Sequence, residues 1–184
     1  MTSKFQFRGF IVLCALALLA SGCGQKANET TQKDQGEPAA APGTQLVSSL
    51  KMNAPTAKEQ LTKGFFQLES GAWRWSAGNF TITLKTPPGA AQKGATLTLN
   101  LVASGSVLKQ VHSQSLTAAI GSKPLKTEKY VDAGAHTFTA DVPASLLTGD
   151  TVAVDFSLDN SLPPSAADRR ELGVIVTAAS LDSN

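Results

Sequence analysis

Residues 95–103 read ATLTLNLVA, and the alternation in this stretch decides the fold class. Leu97, Leu99 and Leu101 fall on one side of an extended chain, and Thr96, Thr98 and Asn100 on the other. A side-chain repeat of two puts one face on a core and the other in water. Threonine suits the wet face because its branched Cβ fits a pleated surface. The same period runs outward in both directions. Phe80, Ile82 and Leu84 alternate with Thr81, Thr83 and Lys85. Phe138 stands between Thr137 and Thr139, with His136 and Ala140 on its own face. Val152, Val154, Phe156 and Leu158 alternate with Thr151, Ala153, Asp155 and Ser157.

Turn formers punctuate these runs at Pro87-Pro88-Gly89, Gly105, Gly121 to Pro124, Ala133-Gly134, Gly149-Asp150 and Pro163-Pro164. Strands are predicted at 64–69, 72–75, 79–86, 95–103, 115–120, 135–141, 151–158 and 172–181, with a further short one around 125–131. Many short antiparallel strands and scarcely any helix indicate an all-β chain, an antiparallel β-sandwich of jelly-roll form with about eight strands over residues 64–184. That length holds one core. Residues 46–63 read as a linker with a short helix near 57–62, where Thr56 and Glu59 have capping-box spacing and Gly64 would end the helix.

The start of the chain has a different chemistry. Lys4 and Arg8 precede an apolar run from Phe10 to Ala20, eleven residues long. A bilayer-spanning helix needs roughly 20 apolar residues, so this run fits a secretory signal rather than an anchor. Ala20, Ser21 and Gly22 lead into Cys23. This segment resembles the bacterial lipobox, although Ala20 takes the position usually held by leucine. The resemblance implies a signal peptide at 1–22, cleavage before Cys23, and diacylglycerol on the Cys23 thiol, which fixes the protein to a membrane of the cell envelope. Gly24 follows the cysteine where aspartate does not, which implies the outer membrane in a Gram-negative cell. Residues 23–45 comprise the acylated cysteine and a polar stretch with no aromatic residue, read as a disordered tether. Such a chain of twenty residues spans about 25 Å root-mean-square.

Composition excludes several function classes. Cys14 leaves with the signal and Cys23 is the acylation site, so the folded part has no thiol for a disulfide or a cysteine metal site. The chain has 16 basic and 14 acidic residues; without Lys4 and Arg8 the balance is 14 to 14, and no basic run remains. Nucleic acid is therefore not an expected partner. His112 and His136 have no metal-pair or nucleophile–base spacing, and His136 reads as a packing residue on the Phe138 face. No nucleophile elbow, phosphate loop or zincin motif is present. Neither a cofactor nor a metal is expected, and the chain is not read as an enzyme. A glycan-cleaving site would need two carboxylates roughly 5–9.5 Å apart across a cleft.

Two segments stand out. FFQLESGAWRWSAGNF, residues 65–80, carries Trp73 and Trp75 two apart, so on a strand they share one face and Arg74 takes the other. The indoles can fill the core or stack against the C–H face of a sugar, and Arg74 can be solvated or paired with Glu69. LPPSAADRRELGVIV, residues 162–176, brings Asp168, Arg169, Arg170 and Glu171 to a strand entrance. Four charges there cannot all be buried unpaired, so an arginine is expected to lock the loop through a bidentate bond to a carboxylate, with Glu69, Asp168 and Glu171 as partners. The other reading has Arg169 or Arg170 donating to glycan hydroxyls. Glu69, Arg74 and Trp75, then Asp168, Arg170, Leu172 and Gly173, form a pattern similar to bacterial jelly-roll domains found beside glycosyltransferases and in surface lipoproteins, which are like carbohydrate-binding modules. Phe65-Phe66 stand where such domains often have a tryptophan–tyrosine pair. The resemblance implies a non-catalytic module contacting envelope glycans. The alternative is a protein-interaction or scaffold module of the envelope with no sugar ligand.

Overall fold

A computed structural model of the chain describes residues 45–184. The expectations for 1–22 and for the 23–45 tether, Cys23 included, lie outside the described residues but for Gln45. The described chain runs β1 (Ser49–Lys51), α1 (Ala57–Gln60), β2 (Leu61–Glu69), β3 (Trp73–Lys85), α2 (Ala90–Lys93), β4 (Ala95–Ala103), α3 (Gly105–Val111), β5 (Gln114–Ile120), β6 (Lys123–Tyr130), β7 (Gly134–Val142), a single 3-10 turn (Ala144–Leu146), β8 (Thr151–Leu158) and β9 (Ile175–Ser183).

All pairings are antiparallel. One layer has the order β2-β3-β8-β5-β6 and the other β1-β9-β4-β7; β2–β3 and β5–β6 are hairpins within the first layer, and every other connection crosses between layers. This is an all-β antiparallel sandwich, as the alternation requires. The layers are joined because β3 belongs to both: Asn79 to Lys85 pair with β8, whereas Arg74 and Trp75 pair with Val176 and Ile175 of β9. The inward residues meet in the middle. Phe80 of β3 stacks on Phe156 of β8 at 4.9 Å, and Phe138 of β7 meets Phe156 edge-on at 6.3 Å. Leu97, Leu99, Ile82, Leu84 and Val154 are fully buried around them.

Several expectations differ in detail. There are nine strands among the described residues rather than about eight, because β1 exists and the segment around 125–131 is the full strand β6. The two strands expected at 72–75 and 79–86 are one, since Ala77 and Gly78 stay extended beneath the Ser161–Glu171 loop. Residues 46–63, expected as a linker, carry β1 and the buried side chains Leu50 and Met52, and Gln60 is buried where it bonds the Val47 backbone and the Thr83 carbonyl. The helix there ends at Gln60, and Thr56 makes no side-chain cap. Gly64 does not end it: with φ +73 it lies within β2, so close to β3 that a Cβ would strike the Asn79 carbonyl and Phe80. α2 and α3 were not expected; they are one- and two-turn crossovers that carry too few residues to display a helical period. The strand expected at 172–181 begins at Ile175, because Leu172 instead bridges to Leu162 and closes the preceding loop.

Candidate functional site

The sites singled out in the sequence meet where β2, the start of β3 and the 159–174 loop come together. Ser70 and Gly71 turn the chain between β2 and β3 with φ of 50° and 64°, a left-handed conformation suited to a tight antiparallel hairpin. This turn sets Glu69 opposite Trp73 and Leu68 opposite Arg74.

Trp73 and Trp75 do share a face. Their rings meet edge-to-face at 6.3 Å. Trp75 is 8% exposed and forms a second small core with Val107 and Leu172, against which Trp73, Phe66, Val111, Leu162 and Ile175 pack. Trp75 is therefore an interior group that seats α3 and the 159–174 loop and offers no open face for a sugar ring, while Trp73 is partly buried at the edge of that core.

The charged cluster resolves residue by residue. Arg170 takes Asp168 through two parallel bonds, Nε to Oδ1 at 3.0 Å and Nη2 to Oδ2 at 2.9 Å. Its Nη1 donates to Glu69 Oε1 at 2.6 Å, and its guanidinium lies 5.5 Å over the Phe66 ring. The bonds from Arg170 hold the Asp168 carboxyl below the usual carboxylate range. Glu171, the third expected partner, accepts instead from Ser161 Oγ at 2.5 Å. Arg169 is exposed and enters no ion pair among the described residues. The cluster is thus a clamp tying the loop to the end of β2, which is one of the two readings the sequence left open.

Arg74 behaves otherwise. It is 7% exposed and has no carboxylate partner among the described residues; the Glu69 considered for it belongs to Arg170. Between Phe65 and Leu68 the β2–β3 register slips, so the strand bulges and leaves backbone carbonyls unmatched. Arg74 answers one of these, Nη1 donating to the Phe66 carbonyl, while Nε donates to the carbonyl of Met52 just beyond β1, both at 3.1 Å. Nη2 is left without a protein acceptor among the described residues. The side chain lines an open cleft of about 390 Å³ together with Lys58, Leu61, Phe65, Phe66 and Gln67. The sequence singled out Arg74 and noted Phe65-Phe66, but nothing in it marked Lys58, Leu61 or Gln67, because α1 reaches this cleft only through tertiary packing. No carboxylate or histidine lines the cleft. Among the described residues no group of three or more acidic, histidine or cysteine side chains could hold a metal ion, and no helix is long and apolar enough to cross a membrane.

No family model matches the sequence, and no curated protein matches it. Among solved structures, CsCBM6-3 from Clostridium stercorarium in complex with cellobiose is similar at 12% identity and a TM-score of 0.42, over 75% of this chain and 95% of that one. A family GH115 4-O-methyl-alpha-glucuronidase, BtGH115A, is similar at 12% identity and a TM-score of 0.43, over 79% of this chain and 19% of that one. A CBM4 structure is similar at 9% identity and a TM-score of 0.35, over 74% of this chain and 85% of that one.

Proposed function

We propose that the chain is a lipid-anchored envelope protein whose sandwich is a non-catalytic glycan-binding module, with its ligand seated in the Arg74 cleft. The observation that carries this reading is a buried arginine with a spare donor, lining an open cleft beside the partly buried Phe65. Aromatic faces suit the C–H faces of a sugar ring, and the N–H groups of Arg74 with the Gln67 amide suit its oxygens. The lining has no pair of carboxylates of the kind that cleaves a glycosidic bond, which favours holding over cleaving. Trp75, buried in the small core with Phe66 packed against it, supports the cleft wall.

Retention of the full-length chain on envelope polysaccharides tests the module. Native protein is expected to be retained, and the exposed-site double variant Lys58→Ala/Gln67→Ala to be retained several-fold less. Absence of native retention on every polysaccharide, together with crosslinking to one envelope protein, would return the assignment to the scaffold reading. Anchoring is tested separately: labelled palmitate is expected to enter the native chain and not Cys23→Ala, and an unlabelled native chain would overturn it.

A further inference from the structure

Arg170 and Arg74 are handled in opposite ways by the same few elements. Arg170, with a side chain one-third exposed, is given two carboxylates. Arg74, of which only 7% is exposed, is given two neutral carbonyls and none. Removing a cation from water without a counter-charge is costly, and carbonyl dipoles offset that cost only in part. The remaining cost falls if an anion arrives at the free Nη2. Lys58 adds a second cation to the same cleft, and none of the lining residues is acidic; Glu59, its neighbour on α1, is exposed and outside the lining. Phe66 carries Arg170 over its ring and packs on the small core, so Phe65 is the apolar wall left beside these charges. A ligand matched to both features bears an anionic group fixed to a ring with an apolar C–H face.

We infer that the ligand of this cleft is an acidic glycan whose uronate carboxylate binds Arg74 Nη2, with Lys58 as a second cationic contact. The inference rests on the glycan reading above and adds the charge and class of the sugar. A uronate carboxylate projects outward close to the mean plane of its pyranose ring, so it reaches Nη2 while the ring face lies on a phenylalanine. A charge-assisted bond of this kind to a desolvated guanidinium is stronger than a neutral one. Part of its strength lies at the open mouth, where Lys58 is exposed, so added salt weakens it.

The test offers the full-length chain, in detergent, a panel of uronate polymers (polygalacturonate, alginate and hyaluronan), each beside its carboxyl-reduced neutral form. Tighter binding of at least one acidic polymer, by tenfold or more at low salt and with the gap narrowing at high salt, is the expected result. Lys58→Ala, at an exposed position, is expected to narrow that gap several-fold with the fold intact. Arg74→Gln is expected to close it, with near-ultraviolet circular dichroism checking that the tryptophan core survives. Equal binding of acidic and reduced polymers overturns the carboxylate inference and leaves the glycan module standing. Binding to none of the panel, with retention on a neutral envelope polysaccharide, does the same. Binding to no polysaccharide overturns both. Capture of Cys23→Ala on phosphatidylglycerol vesicles, lost in Arg74→Gln and without polymer binding, assigns the cleft to a lipid headgroup and also overturns it.

Discussion

Arg170 joins a carboxylate two residues away to one 101 residues away, so a single side chain closes a loop and pins it to a distant strand. Because the arginine holds Asp168 below its ordinary range, this part of the clamp is complete above the unfolded carboxylate value of roughly 4. It is lost as the pH falls through the lower folded value, since protonation then removes the acceptor charge. Amide exchange of residues 165–172 is therefore expected to quicken as the pH drops below about 4, after correction for intrinsic exchange. That dependence is expected to vanish in Arg170→Met. A loop equally mobile at pH 6 and in acid would show that the clamp does not restrain it. The tryptophans differ as residues too. Trp75→Ala is expected to cost about 3–5 kcal/mol by urea unfolding, the range for a buried aromatic, and Trp73→Ala less. The sequence showed that an arginine here must meet a carboxylate, but not which: Glu69, Asp168 and Glu171 were equal candidates until the β2–β3 turn and Ser161 divided them.

The legible elements were those whose neighbours are water on one side and core on the other. β4 and β8 match the expected 95–103 and 151–158 because each lies in a sheet with one wet face and one dry face. β3 reads in the sequence as two strands because its first half is buried on both sides, Trp75 against the small core and Arg74 against the bulge, so alternation fails over Trp73 to Ser76. β1 shows no period in the sequence, because three residues are too few to display one. β2 depends on a backbone conformation available to glycine. At Gly64 a φ of +73° combines with a Cβ that would lie 2.1 Å from the Asn79 carbonyl. Gly64→Ala is expected to destabilise by about 2 kcal/mol or more, because backbone strain and a clash add. Measurement by chemical denaturation within 0.5 kcal/mol of the native value would show that β2 relaxes freely. At the outer edge of the β2-bearing layer, β6 carries Lys123, Pro124, Lys126 and Lys129, a composition that discourages pairing with another chain.

Among the described residues the larger of two cores extends from β1 to β9, and residues ahead of the expected boundary at 64 belong to it. Leu50 and Met52 are 1% and 0% exposed. Met52→Ala is expected to cost about 2–5 kcal/mol, as for other buried large-to-alanine changes, whereas a linker residue would cost almost nothing; urea unfolding of the full chain decides between them. By itself the sequence determined the all-β class, the inward residues of most strands and the absence of cysteine chemistry from the folded part. These follow from local periodicity and composition, which need no knowledge of what lies across the core. Only the tertiary structure decided which carboxylates Arg170 would hold, that Trp75 turns inward, and that Arg74 stands buried without one. Those outcomes depend on strand register and on which loop covers which face, and such long-range pairings leave no trace in the order of neighbouring residues.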